Sequence, residues 1–492
     1  MASADQHEEH TNGEQAPRRT HFLVAVYGMQ GHLNPARTLA RRLAQIGGCT
    51  VTLSVPVSGH RRMFPSHDGE AAAAAAVDDG LISYIPFSDG KDDGSWAKDA
   101  DERIQRREAS FRSLSAVVDG LAAGGRPVTC MVCTLNIPVV FDVARAFGIP
   151  LAVYWIQPAT ALVAYYHYFH GHGELIAGHA ADPAHEVSFP GLHRPLAIRD
   201  MPSFFTDETP TELSKLIIQA FQGLFEQMDQ DKPMVMVNTF DALEDVALKA
   251  IQPYVDVFSV GPAVPPLGET SEAQVHLFKQ DENNYMEWLD GQVERSVVYL
   301  SFGSLLTYTK RQVEEILEGL EVCGRPYLWV VRREGREEEV DFYLGDAKGR
   351  NGVVVEWCDQ LQVLSHPSVG CFVTHCGWNS TLEAIVCGIP MVAVPNWSDQ
   401  PLNAYLIEQE WGVGVRANRD REGILTKTEL VDCVELLLGE NEKAMEIKTN
   451  ANNLKKRAQD ALATDGPLEI SIRYFIKRTQ NLGNGHQVNK GT

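Results

Sequence analysis

Between Trp357 and Gln400 the chain runs WCDQLQVLSHPSVGCFVTHCGWNSTLEAIVCGIPMVAVPNWSDQ, which sets an indole, a glycine turn, carboxylates and amides at close spacing. The run from Gly370 to Thr374 reads as a short buried strand, and the run from Ser380 to Val386 as a helix. The turn His375-Cys376-Gly377-Trp378-Asn379-Ser380 therefore falls where a helix begins beyond the carboxyl end of a strand. Such a place attracts phosphate, because unbonded backbone N–H groups and the positive end of the helix dipole point at it. Asn379 and Ser380 add side-chain donors, and Gly377 has no Cβ to hold a ligand off. An indole offers a π-face, and a carboxylate accepts from two vicinal hydroxyls. Taken singly these residues are ordinary. As an ordered set they suit one ligand, a nucleotide sugar.

The set resembles the signature box of plant family-1 UDP-glycosyltransferases, with every hallmark position of that box filled. The resemblance implies that Trp357 stacks on uracil, that Gln360 reaches the ribose and that Glu383 accepts the ribose hydroxyls. It implies that His375, Asn379 and Ser380 hold the diphosphate, and that Asp399 and Gln400 take the hydroxyls of the sugar. Cys358, Gly377 and Trp378 of the box, Gln157 of the WIQPAT segment and Ser304 of the SFGS segment complete the implied donor-binding set. The implied co-substrate is UDP-glucose, since Gln400 closes the box where galactose-using relatives tend to carry histidine. No metal is implied, and no Asp-x-Asp pair stands near the box.

A base for the reaction is expected in the first half of the chain. After an apolar run comes GMQGHLNPARTLARRLAQIG, where Asn34 suits an N-cap and Pro35 a first helical position. Leu39, Leu43 and Ile46 then form an apolar stripe. This spacing leaves His32 on a loop at a strand's carboxyl end, the edge of an α/β sheet at which ligands bind. The segment resembles the family's G-H-x-x-P motif, whose histidine is the general base. A neutral imidazole accepts a proton from an attacking hydroxyl.

In much of the family an aspartate orients that histidine. Counting back from Phe147-Gly148-Ile149-Pro150, the matching position here is Thr134, which carries no charge to stabilise an imidazolium; Asp142, further along, is a poor substitute. A phenol with a pKa of about 10 needs help in losing its proton, whereas a carboxylic acid of pKa about 4.3 is already ionised at neutral pH. The missing aspartate therefore favours a carboxylic acid as acceptor and a glucose ester as product. PFSDGKDDG (86–94), the segment around Thr134 and WIQPAT (155–160) are similar to the subgroup that makes glucose esters of indole acetate and related acids. That subgroup also holds flavonoid 5-O-glucosyltransferases, so O-glucosylation of a flavonoid or other phenol is the alternative. A UDP-sugar-binding pseudoenzyme is a third reading, separated from the others by assaying UDP release.

These groups need a scaffold, and the chain alternates short apolar runs with helix-like segments in the manner of doubly wound α/β folds. Strands are expected at 21–27, 51–57, 128–135, 150–156 and 234–240. After the Pro/Gly-rich stretch GPAVPPLGE the pattern restarts at 296–304, 326–332, 352–357, 370–375 and 391–396. The family resemblance identifies two such Rossmann-like lobes facing a cleft as the GT-B fold. The expected order is a disordered tail (1–20), an acceptor-binding lobe (21–260), a linker (261–280) and a UDP-sugar-binding lobe (281–455). C-terminal helices (456–482) packing back on the first lobe and a second tail (483–492) follow. The low-complexity stretch 66–80 and the charge-dense stretch 332–350 read as exposed loops.

Composition bounds the partners. A chain of 492 residues exceeds what one core usually supports, and 44% hydrophobic content supplies two. A net charge of -22 argues against nucleic acid and anionic membrane. Nine scattered cysteines read as reduced cytosolic thiols, including the C-x-x-C of Cys130 and Cys133 in a strand-like run. No run of about 18 apolar residues occurs that could span a membrane. The expectation is a cytoplasmic monomer acting on a small molecule. A nicotinamide dehydrogenase is excluded by the spacing of Gly28-Met29-Gln30-Gly31-His32, and a P-loop kinase by the lack of its motif.

Overall fold

The computed structural model describes residues 20–65, 75–95, 97–206, 211–265, 284–303, 308–333 and 351–488. Ser304, residues 66–74, the first nineteen residues, the last four, and most of the stretches 261–280 and 332–350 lie outside the described residues. The first lobe holds an eight-stranded sheet of β1 (His21–Ala25), β2 (Thr50–Ser54), β3 (Val77–Asp78), β4 (Ser83–Tyr84), β5 (Cys130–Thr134), β6 (Leu151–Trp155), β7 (Met234–Val237) and β8 (Val257–Ser259). Its spatial order is β8-β7-β6-β5-β1-β2-β4-β3, parallel except for β3. The second lobe holds β9 (Val297–Ser301), β10 (Tyr327–Val330), β11 (Gly352–Val355), β12 (Val369–Thr374), β13 (Met391–Ala393) and β14 (Gly414–Arg416), in the parallel order β11-β10-β9-β12-β13-β14. The central strands are buried on both faces, as parallel strands covered by helices must be, which is why they read as unbroken apolar runs.

Each sheet grows to one side of its first strand and then returns to the other. The first reverses between β1 and β5, with Phe22 opposite Cys130 and Ala25 opposite Cys133. The second reverses between β9 and β12, with Ser301 opposite Thr374. Loops diverge at such a reversal and leave a crevice at the carboxyl ends of the strands.

Helix α1 (Gln30–Gly47) starts earlier than the sequence suggests. Met29 takes the N-cap position and Pro35 lies inside the helix, so His32 belongs to the first helical turn and not to a loop. Leu39 and Leu43 are buried, as their spacing requires. Arg42 reaches out of the lobe to donate to the carbonyls of Pro262 (2.8 Å) and Val264 (2.9 Å), holding the start of the inter-lobe connection.

One buried carboxylate fixes the lobe's inner edge. In α2 (Ala159–His167) the first turn would leave N–H groups without partners. Glu244, from a non-helical break (φ -132°, ψ 38°) in α3 (Asp241–Ile251), fills that need. Its carboxylate accepts from the Ala159 and Thr160 amides, each at 2.9 Å, and from the Thr160 hydroxyl at 2.8 Å. Burial pushes its pKa up, and these donors pull it back.

The chain ends in two long helices, the first of which bridges the lobes. The expected boundary at 455/456 falls within a single continuous helix, α4 (Glu442–Leu462), which packs on helices of both lobes. Helix α5 (Pro467–Val488) runs past residue 482, where the sequence suggests order ends. It lies on the first lobe, where Phe475 stacks on Phe22 (centroids 5.8 Å apart) and Arg478 meets Asp256 at 3.2 Å. Among the described residues no helix is long and apolar enough to cross a membrane. All nine cysteines are thiols; Cys130 and Cys133 are sealed inside β5, where desolvation raises both pKa values and leaves them unreactive.

Glu244→Ala strands the donors at the head of α2 without an acceptor. A loss of stability on the order of 3 kcal/mol is expected, the effect of removing a charged acceptor from several buried donors. A thermal melting temperature equal to that of the unaltered protein refutes this role for Glu244.

Candidate active site

The two crevices face each other, and nearly all the described candidate residues sit on their rims. In the second lobe, α6 (Gln360–Ser365) begins just after Trp357, and α7 (Trp378–Cys387) begins at Gly377. Asn379 and Ser380, expected in the turn, lie in the first turn of α7, so their side chains and the helix-end N–H groups address one place. His375 sits between two glycines. A Cβ on Gly303 or Gly377 would come within 2.5 or 2.4 Å of its Nε2, and Gly303 has the positive φ of 76° that glycine tolerates. Desolvation lowers the His375 pKa to about 4, so the ring is neutral at physiological pH.

Gln360 organises the middle of the site. Its Nε2 donates to Ser380 Oγ at 2.8 Å and to Glu383 Oε2 at 2.6 Å, bringing together three residues expected to act on one ligand. Its Oε1 accepts from the Tyr299 hydroxyl at 3.2 Å. Tyr299 is fully buried on β9 and stacks on Phe372 at 4.9 Å. It fixes which way the amide points, a role hidden in the sequence because a tyrosine in a buried strand reads as core. Desolvation raises the Glu383 pKa to about 7, with the Gln360 hydrogen bond pulling the other way.

Asp399 and Gln400 open α8 (Gln400–Tyr405) and are both buried. The amide oxygen of Gln400 accepts from the backbone N–H groups of Asn396 (2.9 Å) and Trp397 (3.1 Å), which leaves its NH2 for a ligand. Asp399 accepts from Asn403 at 2.8 Å, and Asn403 also donates to the Cys376 carbonyl at 2.8 Å. Asn403 thus braces the turn against the carboxylate. It was not among the expected site residues, and its place four residues after Asp399 on one helix face is the signal that points to it. Gln157 reaches across from the first lobe, its amide 3.4 Å from Asp399 Oδ1.

Two members of the expected set point elsewhere. Trp378 is buried, and its indole N–H donates to the Asn238 carbonyl of the first lobe at 2.7 Å. The Cys358 thiol is buried against the Tyr299 hydroxyl at 3.4 Å. A large apolar ring and a thiol are drawn into the core.

In the first lobe, His32 and Thr134 meet at the reversal between β1 and β5. His32 Nδ1 lies 3.3 Å from Thr134 Oγ1, which also accepts from the Tyr27 N–H at 3.1 Å. Desolvation lowers the His32 pKa to about 4. In the tautomer that donates Nδ1–H to Thr134, the lone pair of Nε2 is left for a ligand. Asp142 is taken up by Arg107 (2.7 Å) and Arg145 (3.3 Å) and does not serve the histidine. Pro35 has no N–H to give to the Gly31 carbonyl one turn back. Asn379 of the second lobe donates to that carbonyl at 3.0 Å. The first turn of α7 and the turn carrying His32 are therefore directly bonded.

Beside His32 the Tyr27 ring, 5.2 Å away, forms one wall of a cavity of about 470 Å3 at the carboxyl edge of the first sheet. Phe87, Ile137 and Val139 supply apolar wall, and a row of arginines marks its rim. Among the described residues no group of three or more His, Cys, Asp or Glu side chains is placed to hold a metal ion.

Comparison with known proteins agrees with this geometry. The sequence profile of the family described as UDP-glucoronosyl and UDP-glucosyl transferase matches residues 213–460. The chain is 40% identical to crocetin glucosyltransferase, chloroplastic, of Gardenia jasminoides, covering 96% of this chain and 99% of that protein. It is 40% identical to anthocyanidin 3-O-glucoside 5-O-glucosyltransferase 1 of Perilla frutescens, over 93% and 98% of the two chains. Among solved structures it resembles Os79 from O. sativa in complex with UDP, with a TM-score of 0.79, 29% identity and coverage of 93% and 100%. Two facing doubly wound lobes, the filled box at one reversal and the histidine at the other carry the same conclusion: the chain belongs to the plant family-1 UDP-glycosyltransferases and is an enzyme of the GT-B fold that uses a UDP-sugar as donor.

Proposed function

We propose that this enzyme transfers glucose from UDP-glucose to the carboxylate of a small lipophilic acid, giving a glucose ester. The observation that carries the reading is the Thr134 hydroxyl 3.3 Å from His32 Nδ1, where a carboxylate would be needed to stabilise an imidazolium. A hydroxyl orients the ring without compensating its charge. Burial and the positive end of α1 further disfavour protonation of His32. Such a base is poorly matched to a phenol and well matched to an acceptor that arrives ionised.

In the proposed step a carboxylate oxygen forms a bond to the anomeric carbon from the face opposite the diphosphate. The bond from that carbon to the diphosphate oxygen breaks, the configuration inverts and UDP leaves. His375, Asn379, Ser380 and the N–H groups opening α7 stabilise the charge on the departing diphosphate. Trp357 stacks on the uracil, Gln360 and Glu383 take the ribose, and Asp399, Gln400 and Gln157 take the glucose. Glucose as the sugar is supported by relatives named as glucosyltransferases and by Gln400. The cavity beside Tyr27 receives the body of the acceptor. The cysteine thiols favour a reducing, cytoplasmic setting.

A second reading, transfer to a phenolic hydroxyl, is favoured by relatives named for phloretin 4'-O- and anthocyanidin 5-O-glucosylation. Products formed from mixed acids and phenols, treated with mild alkali, separate the two, because esters are cleaved and glucosides survive.

The acid reading has a kinetic signature. His32→Ala should slow a phenol about 10²–10⁴-fold more than an acid of similar size, since only the phenol depends on proton removal. Thr134→Asp should raise phenol turnover. Equal loss of both reactions in His32→Ala defeats the argument from Thr134.

The ribose site should titrate. Glu383 is ionised above a pKa of about 7 and accepts from two hydroxyls; below it the carboxyl is protonated and keeps less accepting capacity. UDP-glucose, whose diphosphate is esterified at both ends, does not itself titrate near this pH. Its affinity, measured by calorimetry, should fall from pH 8 to pH 6, and Glu383→Gln should flatten the profile at the weaker level. Equal affinity at both pH values contradicts the assignment of Glu383 to the ribose.

A further inference from the structure

Helix 100–123 presents Arg103, Arg106 and Arg107 at i, i+3 and i+4 spacing along the rim of the cavity beside Tyr27. Two of them are neutralised. Arg106 meets Asp89 at 3.2 Å and Glu102 at 2.9 Å, and Arg107 meets Asp142 at 2.7 Å. Lys91 shares the Glu102 carboxylate at 2.9 Å and Arg145 shares Asp142, so these carboxylates have their cations without Arg103. The Arg103 guanidinium has no hydrogen-bond or ion-pair partner among the described residues, in a chain of net charge -22 where carboxylates outnumber cations. Next to it on the rim, Ile104 leaves 58% of its surface in solvent. An unneutralised cation beside an uncovered apolar side chain, at the mouth of a cavity with apolar walls, complements a ligand that is apolar along its length and anionic at its outer end.

We infer that the cavity holds the end of the acceptor remote from the attacking oxygen, and that Arg103 selects acceptors carrying an anionic group there. The inference rests on the reading that the cavity receives the acceptor. Tyr27 sets the geometry: its ring packs on His32 on one side and walls the cavity on the other, so a ligand passing Tyr27 has one end at the base and the other toward the arginine rim. The ligand class is a rigid aromatic molecule with a nucleophilic oxygen at one end and a carboxylate, sulfate or phosphate at the other. A guanidinium pairs with each of these through two parallel N–H donors.

Two matched pairs of acceptors test this at saturating UDP-glucose. The first is 2,6-naphthalenedicarboxylate and its monomethyl ester, which share a reacting carboxylate and differ in the remote charge. The second is 4'-hydroxybiphenyl-4-carboxylate and its methyl ester, compared by formation of the alkali-stable phenolic glucoside. In each pair that is turned over, the anionic member should have the lower KM. Arg103→Ala should raise that KM about threefold to tenfold, between the worth of an exposed and a desolvated ion pair, and leave kcat and the ester unchanged. Arg103→Lys should restore part of the difference, and added salt should shrink it. Arg103 is exposed on a helix surface, so these variants leave the fold intact. The inference is overturned if the members of each pair have equal KM in the unaltered enzyme, or if Arg103→Ala shifts both members alike. Turnover of the phenol pair alone would defeat the carboxylate-acceptor reading while the KM comparison within that pair still decides Arg103.

Discussion

A parallel sheet that extends first to one side of its opening strand and then to the other must leave a gap in its loops where it turns back. That constraint operates twice in this chain, between β1 and β5 and between β9 and β12. Helix dipoles, orphan N–H groups and open carbonyl-edge space coincide at both places, so polar and charged side chains can gather there without breaking a core. His32 and Thr134 gather at the first, His375 and the head of α7 at the second. Everything chemical about the protein depends on holding these two gaps face to face.

The alignment is held by a few directional bonds. The Trp378 indole enters the first lobe to reach the Asn238 carbonyl, and the Trp411 indole does the same at Leu243, 3.3 Å away. Ser203 and Ser398 exchange hydrogen bonds across the boundary at 2.7 and 2.8 Å, and Arg416 closes on Asp200. Segment 238–244 serves both lobes, because Glu244 at its end also anchors α2 just after Gln157. Residues that read as separate core or surface positions therefore act together as one inter-lobe contact.

The architecture was legible because its signals are local and redundant. Apolar runs such as those containing β5 and β12 announce buried parallel strands, and a box with every position filled suits a nucleotide sugar and little else. What escaped was information carried by three-dimensional neighbours. Met29, not Asn34, caps α1, since the helix can accommodate Pro35 once another group takes the carbonyl that the proline leaves. Trp378 looks like a ligand-facing aromatic by its place in the box, yet its size and single donor suit a buried inter-lobe tie. Tyr299 and Asn403 escaped for the opposite reason: their polar atoms act from inside the core, on side chains distant in sequence. The short strands β3, β4, β8 and β14 carried too few residues to show a period.

Pro35 has one consequence that reaches beyond its helix. By lacking a hydrogen it leaves the Gly31 oxygen vacant, and the second lobe reads the first through that vacancy. A link made to a main-chain atom does not read the side chain at residue 31, whereas the residue that withholds the proton and the amide that replaces it depend on each other. The message passing between the lobes is thus written as an omission in the backbone ladder, one residue before His32.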